Sequence, residues 1–517
     1  MQNLREWTYI SLPWLAFAMF FFISFFFLAF FEDVDSTYTS KNYLTGLFFN
    51  TVLLSFGSAI MSALIAVPLA ILVTFYKFPG HKFFSWALSL SIAFPAYVYA
   101  FIFVGIFEYA SPVSEYLRQF GINLPSIKNI YGASLVMSMA LFPYIFLLAK
   151  AQLSYVGVGI FKAAKSLGDK NLSAIRKVII PSIKPVIFAG MALVIFETIS
   201  DLGGVRTLSI ETFTVGIYDA WFGYQSYFSA ARLAGYLLIF VLFIIFLSKY
   251  FGNKSGSIAP KTAEVFEKIE LKIAGKYIST LVCSLIFLFV FCIPFIQLFL
   301  WHFNNTYFEL FEHLKLLLNS ALLGIFVALL TVFFAISLSL SYKGTRYLKT
   351  MISVSTSGYA IPGSVISSGL LISFDLIFDT AITLYGVLGL VMCLSLRFMT
   401  PAFNYISSSL TNIPKSSENA LLTQPKNSYK AFLNFYLPQM KPAILLGIMI
   451  VFIESIKEQP ATLLLRPAGF DTLSTKVYNF TSEGQWIMAS SPSLLLILLS
   501  LIFVYLINKN IDLNKYN

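Results

Sequence analysis

The sequence predicts an all-α polytopic membrane protein with about twelve transmembrane helices in two homologous halves. Three observations favour this class: the composition, the number of long apolar runs and one segment that occurs twice. Apolar residues make up 58% of the chain and charged residues 11%, whereas a soluble domain carries about 25% charge. We therefore expect lipid and neighbouring helices to surround most side chains.

Apolar runs of transmembrane length recur along the whole chain, and a helix needs about 20 residues to cross the bilayer. The candidate spans are residues 9–31, 50–75, 84–107, 132–154, 184–200, 233–251, 277–301, 316–341, 349–374, 381–404, 440–456 and 490–508. The fifth and the eleventh are short, and we expect both to run past their carboxylates toward residues 205 and 465. The first is longer than a signal-peptide core of about 7–15 residues and no A-x-A-like site follows it, so we expect it to be retained.

The distribution of basic residues predicts the orientation of the chain. With the N-terminus inside, 25 of the 35 Lys and Arg fall in inner segments and nine in outer segments, as the positive-inside rule requires. We therefore expect a multi-pass protein of the cell (inner) membrane with both termini in the cytoplasm. The net charge of +11 then reflects topology, and we expect no nucleic-acid partner.

One segment occurs twice, and both copies fall on the predicted cytoplasmic side. The copies are residues 162–190, KAAKSLGDKNLSAIRKVIIPSIKPVIFAG, and residues 419–447, NALLTQPKNSYKAFLNFYLPQMKPAILLG. A constant offset of 257 residues pairs Pro181 with Pro438 and Gly190 with Gly447. Self-similarity at a fixed offset indicates a duplicated architecture.

The duplication divides the chain into five parts. We expect an N-terminal helix and outer loop at 1–45, a first repeat at 46–251, a cytoplasmic linker plus an extra transmembrane helix at 252–314, a second repeat at 315–508 and a tail at 509–517. Within the linker, residues 261–272 fit either an amphipathic helix on the inner membrane face or a solvated connection.

The repeated segment resembles the coupling segment of ABC importer permeases, whose pattern is E-A-A-x-x-x-G followed after nine residues by I-x-L-P. The first copy matches well, with Ala163, Ala164, Gly168 and Pro181 in register and Lys162 in place of Glu. The second copy is degraded: it keeps Ala420 and Pro438, with Asn419 in place of Glu and Pro425 in place of Gly. Each segment would form a helix, a turn and a second helix that ends at the proline, and the proline would stand in the first turn of the next span.

Four further stretches resemble the ferric-iron branch of that family. They are SIAFPAYVYAFIFVGIFEYASPV from Ser91, ETISDLGGV from Glu197, GYAIPGSVISSGLL from Gly358 and KEQPATLLLRPAGFDTLSTKVY from Lys457. The resemblance spans nearly the whole chain. It implies a fused type I importer permease fold, a homodimeric ATPase subunit that receives the two coupling helices, and an external binding protein that delivers ferric iron.

Other functions remain open on the sequence alone. Thiamine, polyamine, molybdate and sulfate permeases share this fold and the coupling motif, and a secondary transporter would fit the composition and the repeats. The sequence has no G-x-x-x-x-G-K-[ST] motif, no metal-ligand motif and no catalytic triad. We therefore expect a transport subunit rather than an enzyme, with ATP and Mg²⁺ bound by a separate ATPase.

Paired carboxylates end the fifth and eleventh spans. Glu197 and Asp201 are four residues apart and share a helix face, and Glu454 and Glu458 repeat that spacing. A carboxylate at mid-bilayer costs about 2.5–3.5 kcal/mol and usually faces a cavity or a partner. The four acids fit either a path or gate for a cation near the outer mouth, or structural pairs with Arg206, Lys457 or Arg466.

Two further features flank that predicted outer mouth. Pro95 and Pro362 each stand beside a small residue inside a span, where a break would free backbone carbonyls to line a cavity. Residues 201–232 and 457–490 are long outer segments rich in aromatic side chains. These segments fit a binding-protein dock, a gate or an interfacial aromatic belt.

Overall fold

The computed structural model describes residues 5–31, 40–154, 161, 164, 166–168, 171–252, 268–306, 309–342, 346–378, 386–411, 413–414, 416–417 and 428–513. Within these residues the chain is helical apart from one short strand pairing. It contains ten helices long and apolar enough to span a membrane, or up to twelve if each of two bent helix pairs counts as one span. The predicted all-α membrane fold is confirmed.

The first half runs from the N-terminus to residue 252. Its helices are α1 (Arg5–Phe31), α2 (Lys41–Phe75), α3 (His81–Ala87), α4 (Ala96–Phe107), α5 (Pro112–Arg118), α6 (Ile130–Gln152), α7 (Ile180–Ser200), α8 (Gly203–Thr207), α9 (Phe213–Tyr218) and α10 (Tyr227–Gly252). The turn Asn171–Ala174 and the π-helical turn Ile175–Ile179 lead directly into α7, so the expectation that a separate helix ends at Pro181 is wrong. Pro181 lies in the first turn of α7, where a missing N–H leaves no hydrogen bond unmade.

The second half repeats this order of helices. Its helices are α11 (Ile273–Phe287), α12 (Ile293–Phe303), α13 (Leu310–Ser341), α14 (Arg346–Ser355), α15 (Gly363–Phe378), α16 (Gly386–Arg397), α17 (Met399–Thr411), α18 (Leu437–Lys457), α19 (Pro460–Leu465), α20 (Leu473–Ser482) and α21 (Trp486–Leu513). A π-helical turn, Leu288–Cys292, joins α11 to α12, and another, Phe432–Tyr436, leads into α18. Pro438 occupies the first turn of α18, as Pro181 does in α7.

Both halves are built on three helices that pack against one another. In the first half these are α2, α6 and α7, and in the second they are α13, α17 and α18. Helix α1 contacts α10 of its own half and also α13 and α15 of the other half. Trp14 of α1 is buried and stacks on Phe334 of α13 with ring centroids 4.8 Å apart. The two halves therefore share one continuous apolar core.

The linker returns to the first half through a short parallel strand pairing. Tyr76 pairs with Ile269, and Lys77 pairs with Glu270. The amphipathic-helix interpretation is therefore wrong for Ile269 and Glu270 of the linker. Glu270 lies 3.4 Å from Lys77 Nζ and 3.6 Å from Lys276 Nζ. The positive charge of Lys276, followed by that of Lys77, lowers the pKa of Glu270. Residues 261–267 lie outside the described residues.

Two spans are broken at a proline in corresponding places. A 3₁₀ turn at Leu90–Ala93 and the extended Pro95 separate α3 from α4. In the second half, a 3₁₀ turn at Gly358–Ala360 and Pro362 separate α14 from α15, and the chain bends by 118°. Proline has no N–H to continue a helix and disfavours helical geometry in the residue before it. Uninterrupted helices over 84–107 and 349–374 are therefore not formed.

The expected extension of the fifth and eleventh spans is wrong. Helices α7 and α18 end at Ser200 and Lys457, and Asp201 and Glu458 have extended backbone. Asp201 Oδ1 accepts the backbone N–H of Gly204 at 2.6 Å, while Glu458 Oε1 accepts that of Ala461 at 3.1 Å. Each carboxylate thus caps a new short helix, α8 or α19, in the way that Asp commonly caps a helix start. The aromatic outer segments continue as further helices and are not open loops.

Candidate functional site: a carboxylate-lined cavity between the halves

A small polar cavity lies where α7 and α18 end. Its volume is about 70 Å³, and one water molecule needs about 10–15 Å³ by the same measure. The cavity therefore has room for only a few waters. Its lining comes from both halves: Ile92, Phe94, Pro95, Ala96, Tyr97, Ala140, Leu141, Tyr144, Glu197, Ser200, Asp201 and Leu202 from the first, and Arg397, Phe398, Glu454, Lys457, Glu458, Gln459 and Pro460 from the second.

All four carboxylates singled out in the sequence line this cavity. They meet because α7 and α18 are equivalent helices whose ends face each other across the two halves. Pro95 also lines the cavity, whereas Pro362 does not. The residue after Pro362, Gly363, instead lies so close to Glu458 that a Cβ there would overlap the carboxylate oxygen Oε1. The second proline break therefore packs against the Glu458 carboxylate and does not itself line the cavity.

Glu458 forms a buried ion pair that is not among the pairs expected from the sequence. Its Oε1 lies 3.5 Å from Arg397 Nη1, and both side chains are buried. Two of the expected bases have other partners, because Arg206 pairs with Asp219 and Arg466 pairs with Asp471. Arg397 did carry a sequence signal, since a lone basic residue inside an apolar span almost always faces a partner or a cavity.

Glu454 has a basic partner on its own helix and a hydroxyl partner from the other half. Lys457 Nζ lies 3.5 Å from Glu454 Oε1, and it also donates to the Ile92 carbonyl at 3.1 Å. Tyr144 of α6 donates its hydroxyl hydrogen to Glu454 at 3.4 Å. The expected pairing of one of the four acids with Lys457 thus forms, and that acid is Glu454.

Glu197 differs from the other cavity acids in its contacts. Its Oε1 accepts the hydroxyl hydrogen of Tyr359, from the second half, at 2.6 Å. Among the described residues no Lys, Arg or His nitrogen lies within 4.0 Å of its carboxylate. Asp201 also lacks a basic partner at that distance but accepts two backbone N–H groups. Both contacts between Glu and Tyr hydroxyls cross from one half to the other.

The charge and hydrogen bonding of the cavity leave room for a small polar ligand. Four carboxylates face two bases, so the formal charge is −2 when all are ionised. Among the described residues, four buried lining atoms have no hydrogen-bond partner: Tyr97 OH, Ser200 Oγ, Arg397 Nε and Gln459 Oε1. Within the described ranges, no three His, Cys, Asp or Glu side chains are placed to hold a metal ion together. The arrangement therefore suits an ion that keeps much of its water rather than a fully chelated metal.

Aromatic side chains from the segments 201–232 and 457–490 contact each other across the two halves. Tyr218 is the last residue of α9, and Tyr478 lies within the corresponding helix α20. Their ring centroids are 5.6 Å apart. The guanidinium of Arg206 lies 5.5 Å from the Tyr218 ring. This inter-half contact shows that at least part of these segments packs between the halves.

The structure describes only part of the two coupling segments. Lys162, Ala163, Asn419, Ala420 and Pro425 lie outside the described residues. Ala164 is buried, whereas the neighbouring Leu167 is 87% exposed. Gly168 has φ +91°, and no atom of the described residues lies within 4 Å of the position that a Cβ would take. The turn at Leu167 and Gly168 is therefore left-handed and open to an approaching surface.

Comparison with known proteins gives one family and several relatives. Residues 66–253 match the family described as binding-protein-dependent transport system inner membrane component. The chain is 26% identical over 477 residues to an Fe(3+)-transport system permease protein of Haemophilus influenzae, covering 89% of each chain. A sulfate transport system permease protein of Salmonella typhimurium is 26% identical over 30% of this chain and 55% of its own. A putative 2-aminoethylphosphonate transport system permease protein of Salmonella typhimurium is 24% identical over 42% of this chain and 84% of its own.

Proposed function

The chain is a permease of the binding-protein-dependent ABC importer class, and we propose that it forms the membrane path for ferric iron. Its two halves would act as the two fused permease units of one importer. An external binding protein would deliver the cargo, and a separate ATPase would supply the energy. The path would open alternately to each side as the halves rock about the carboxylate-lined cavity.

The observation that carries the choice of cargo is the charge of the cavity between the halves. When all four carboxylates are ionised its formal charge is −2, which would attract cations and repel sulfate or phosphonate. Both bases of the cavity are already engaged by carboxylates, Arg397 by Glu458 and Lys457 by Glu454. The relative that matches over both halves is an iron permease by its printed name, which supports the same cargo.

An oxyanion such as sulfate is the second candidate cargo. It is favoured by the two bases in the cavity and by the partial relatives that carry sulfate or phosphonate in their names. For an anion to bind there, Arg397 or Lys457 would have to leave its carboxylate. Breaking a buried pair in this way costs about 3–5 kcal/mol, so we place this candidate second.

The coupling segments support a homodimeric ATPase as the partner. Two equal ATPase subunits offer two equal docking grooves, and the chain carries two segments related by a constant offset. In the first copy the exposed Leu167 and the open turn at Gly168 offer a surface without steric hindrance. The partner would hydrolyse ATP with Mg²⁺, and this chain would bind neither.

Uptake into proteoliposomes tests the proposed cargo. The complex of this chain, its ATPase and its binding protein is reconstituted with ATP inside, and radioactive iron or sulfate is presented on the binding protein. We expect ATP-dependent accumulation of iron and none of sulfate. Sulfate accumulation without iron accumulation would overturn the cargo, and uptake without any ATPase subunit would overturn the whole transport class.

A further inference from the structure

We propose that the cavity is a cation subsite in which Glu197 is the binding carboxylate and Lys457 is a tethered counterion. In this arrangement the first half recognises the cation, and the second half carries a built-in positive charge at the equivalent position. The inference rests on the proposed cation transport and deepens it, because it assigns unequal roles to two halves that arose by duplication.

The two halves differ in charge at one pair of equivalent positions, Ser200 and Lys457. The offset of 257 residues that aligns Glu197 with Glu454 also aligns Ser200 with Lys457. In the second half Lys457 reaches back three residues and lies 3.5 Å from Glu454. In the first half Ser200 cannot supply a charge, and its buried hydroxyl has no partner. Among the described residues Glu197 therefore has no ion-pair partner within 4.0 Å, whereas Glu454 has Lys457.

A second, independent observation indicates a ligand beside Glu197. Gln459 is 1% exposed and Tyr97 6% exposed, yet Gln459 Oε1 and Tyr97 OH have no hydrogen-bond partner. Both atoms belong to residues that line the same cavity as Glu197. A buried polar atom without a partner costs about 1–3 kcal/mol, so such atoms are expected to meet water or a bound ion. Together with Ser200 Oγ they supply neutral oxygens, which hard cations accept as ligands.

The ligand is a small, oxygen-seeking cation that keeps part of its hydration shell. The Glu197 carboxylate and three neutral oxygens can balance part of the charge of such an ion and orient it without removing all of its water, and the described residues show no group of three acids placed to chelate it. Weak, partly hydrated binding suits a path, because an ion must leave the site as readily as it enters. Lys457 then limits the cavity to one cation at a time.

Binding of Tb³⁺ alone to the purified complex tests this assignment directly. Tb³⁺ is a trivalent oxygen-seeking cation, and its luminescence is sensitised by nearby tyrosines such as Tyr97 and Tyr144. Glu197→Gln should lower the affinity for Tb³⁺, measured through the tyrosine-sensitised luminescence, about tenfold. A loss of this size is expected when one contact to a charged group is removed. Glu115→Gln, at an exposed acid of α5 outside the cavity, should bind as the unchanged chain does and controls for surface sites.

Exchanging the two equivalent residues gives the sharper test. Ser200→Lys copies the Glu454–Lys457 geometry into the first half and should abolish the Glu197-dependent Tb³⁺ signal. Ser200→Met, of similar length but uncharged, removes the Ser200 oxygen without adding a charge, so it should weaken the signal less than Ser200→Lys does. Lys457→Ser should tighten Tb³⁺ binding by about tenfold, because one positive charge leaves the cavity. Equal recovery of monodisperse complex on size exclusion shows that each variant is folded.

The outcomes separate this inference from the proposed cargo. If Ser200→Lys and Ser200→Met bind Tb³⁺ alike, or Glu197→Gln binds like the unchanged chain, the subsite assignment is wrong even where iron uptake is normal. If Tb³⁺ binding depends on Glu197 but the reconstituted complex accumulates no iron, the subsite stands and the proposed cargo fails.

Discussion

At the scale of single residues, equivalent acids have acquired different partners. Glu454 is held by Lys457 and Tyr144, Glu458 by Arg397, and Glu197 only by the Tyr359 hydroxyl among the described residues. The helices α7 and α18 are repeats of one another, so these differences arise from the residues that face them. Equal substitutions at equivalent positions should therefore have unequal effects.

Substituting the two equivalent glutamates tests that inequality in transport. Glu197→Gln should lower iron uptake per folded complex by about tenfold, as expected when a contact to a charged ligand is lost. Glu454→Gln should lower it less, because its charge is already balanced by Lys457. Uptake and folded protein are measured together. Normal uptake in the double variant at normal abundance would remove both acids from the path.

The buried pair of Arg397 and Glu458 gives a prediction about stability. Arg397→Met leaves Glu458 without its buried counterion and should destabilise the protein by about 3–5 kcal/mol. The double variant Arg397→Met/Glu458→Gln should recover most of that loss, because no unpaired charge remains. Thermal unfolding of the purified chain in detergent measures both. Equal melting temperatures for the single variant and the unchanged chain would contradict the pairing.

At the scale of elements, capping carboxylates decide where helices end. Asp201 ends α7 by taking the first N–H groups of α8, and Glu458 does the same between α18 and α19. A left-handed glycine, Gly168, has a comparable effect on the first coupling segment, since it turns the chain. The side chains of Asp201 and Glu458 each mark the end of one helix and the start of the next. The missing side chain of Gly168 allows the left-handed turn.

The capping role of Asp201 is tested by two substitutions, one that keeps a side-chain acceptor and one that removes it. Asp201→Asn keeps a side-chain acceptor for the Gly204 N–H, whereas Asp201→Ala loses it and should cost about 1 kcal/mol. We therefore expect near-normal thermal stability for the Asn variant and a lower melting temperature for the Ala variant. If the Asn variant melts as early as the Ala variant, the charge rather than the cap stabilises this corner.

The coupling turn gives a prediction that separates strain from docking. Any L-residue at Gly168 meets backbone strain of about 1–2 kcal/mol at φ +91°, so Gly168→Ala reports the strain alone. Gly168→Arg adds bulk on the open face and should abolish ATP-driven uptake while the protein remains in the membrane. Equal uptake by the Ala and Arg variants would show that this face does not meet an ATPase.

At the scale of the whole molecule, the halves are joined through shared packing and reciprocal hydrogen bonds. Tyr359 of the second half contacts Glu197 of the first, and Tyr144 of the first contacts Glu454 of the second. The contact between Tyr218 and Tyr478 adds an aromatic pair across the same boundary. A rocking motion of the halves would have to break these contacts together, so opening at the cavity should be cooperative.

The predicted orientation is tested over the whole chain by cysteine labelling. In a variant without Cys283, Cys292 and Cys393, Lys430→Cys should react with an impermeant reagent only from the cytoplasmic side. Ser482→Cys should react only from outside, because it follows the second capped corner at the opposite end of α18. Labelling of both positions from the same side would contradict the twofold arrangement.

The sequence by itself determined the class of fold, the number of spans and the existence of two equivalent halves. These depend on local properties: the length of an apolar run against the bilayer thickness and the repetition of residues at one offset. It also identified the four acids, because carboxylates in apolar surroundings are costly wherever they stand. The proline breaks followed from the chemistry of proline itself.

Only the tertiary structure decided which charges pair and what the acids enclose. Arg397 reaches Glu458 from 61 residues away, and Tyr359 reaches Glu197 from 162 residues away, so no local pattern could have matched them. The end of α7 at Ser200 was missed because an apolar run cannot show that Asp201 prefers the N–H groups of the next helix. The cavity exists because two helix ends meet across the halves, and that meeting depends on packing between residues distant in the chain.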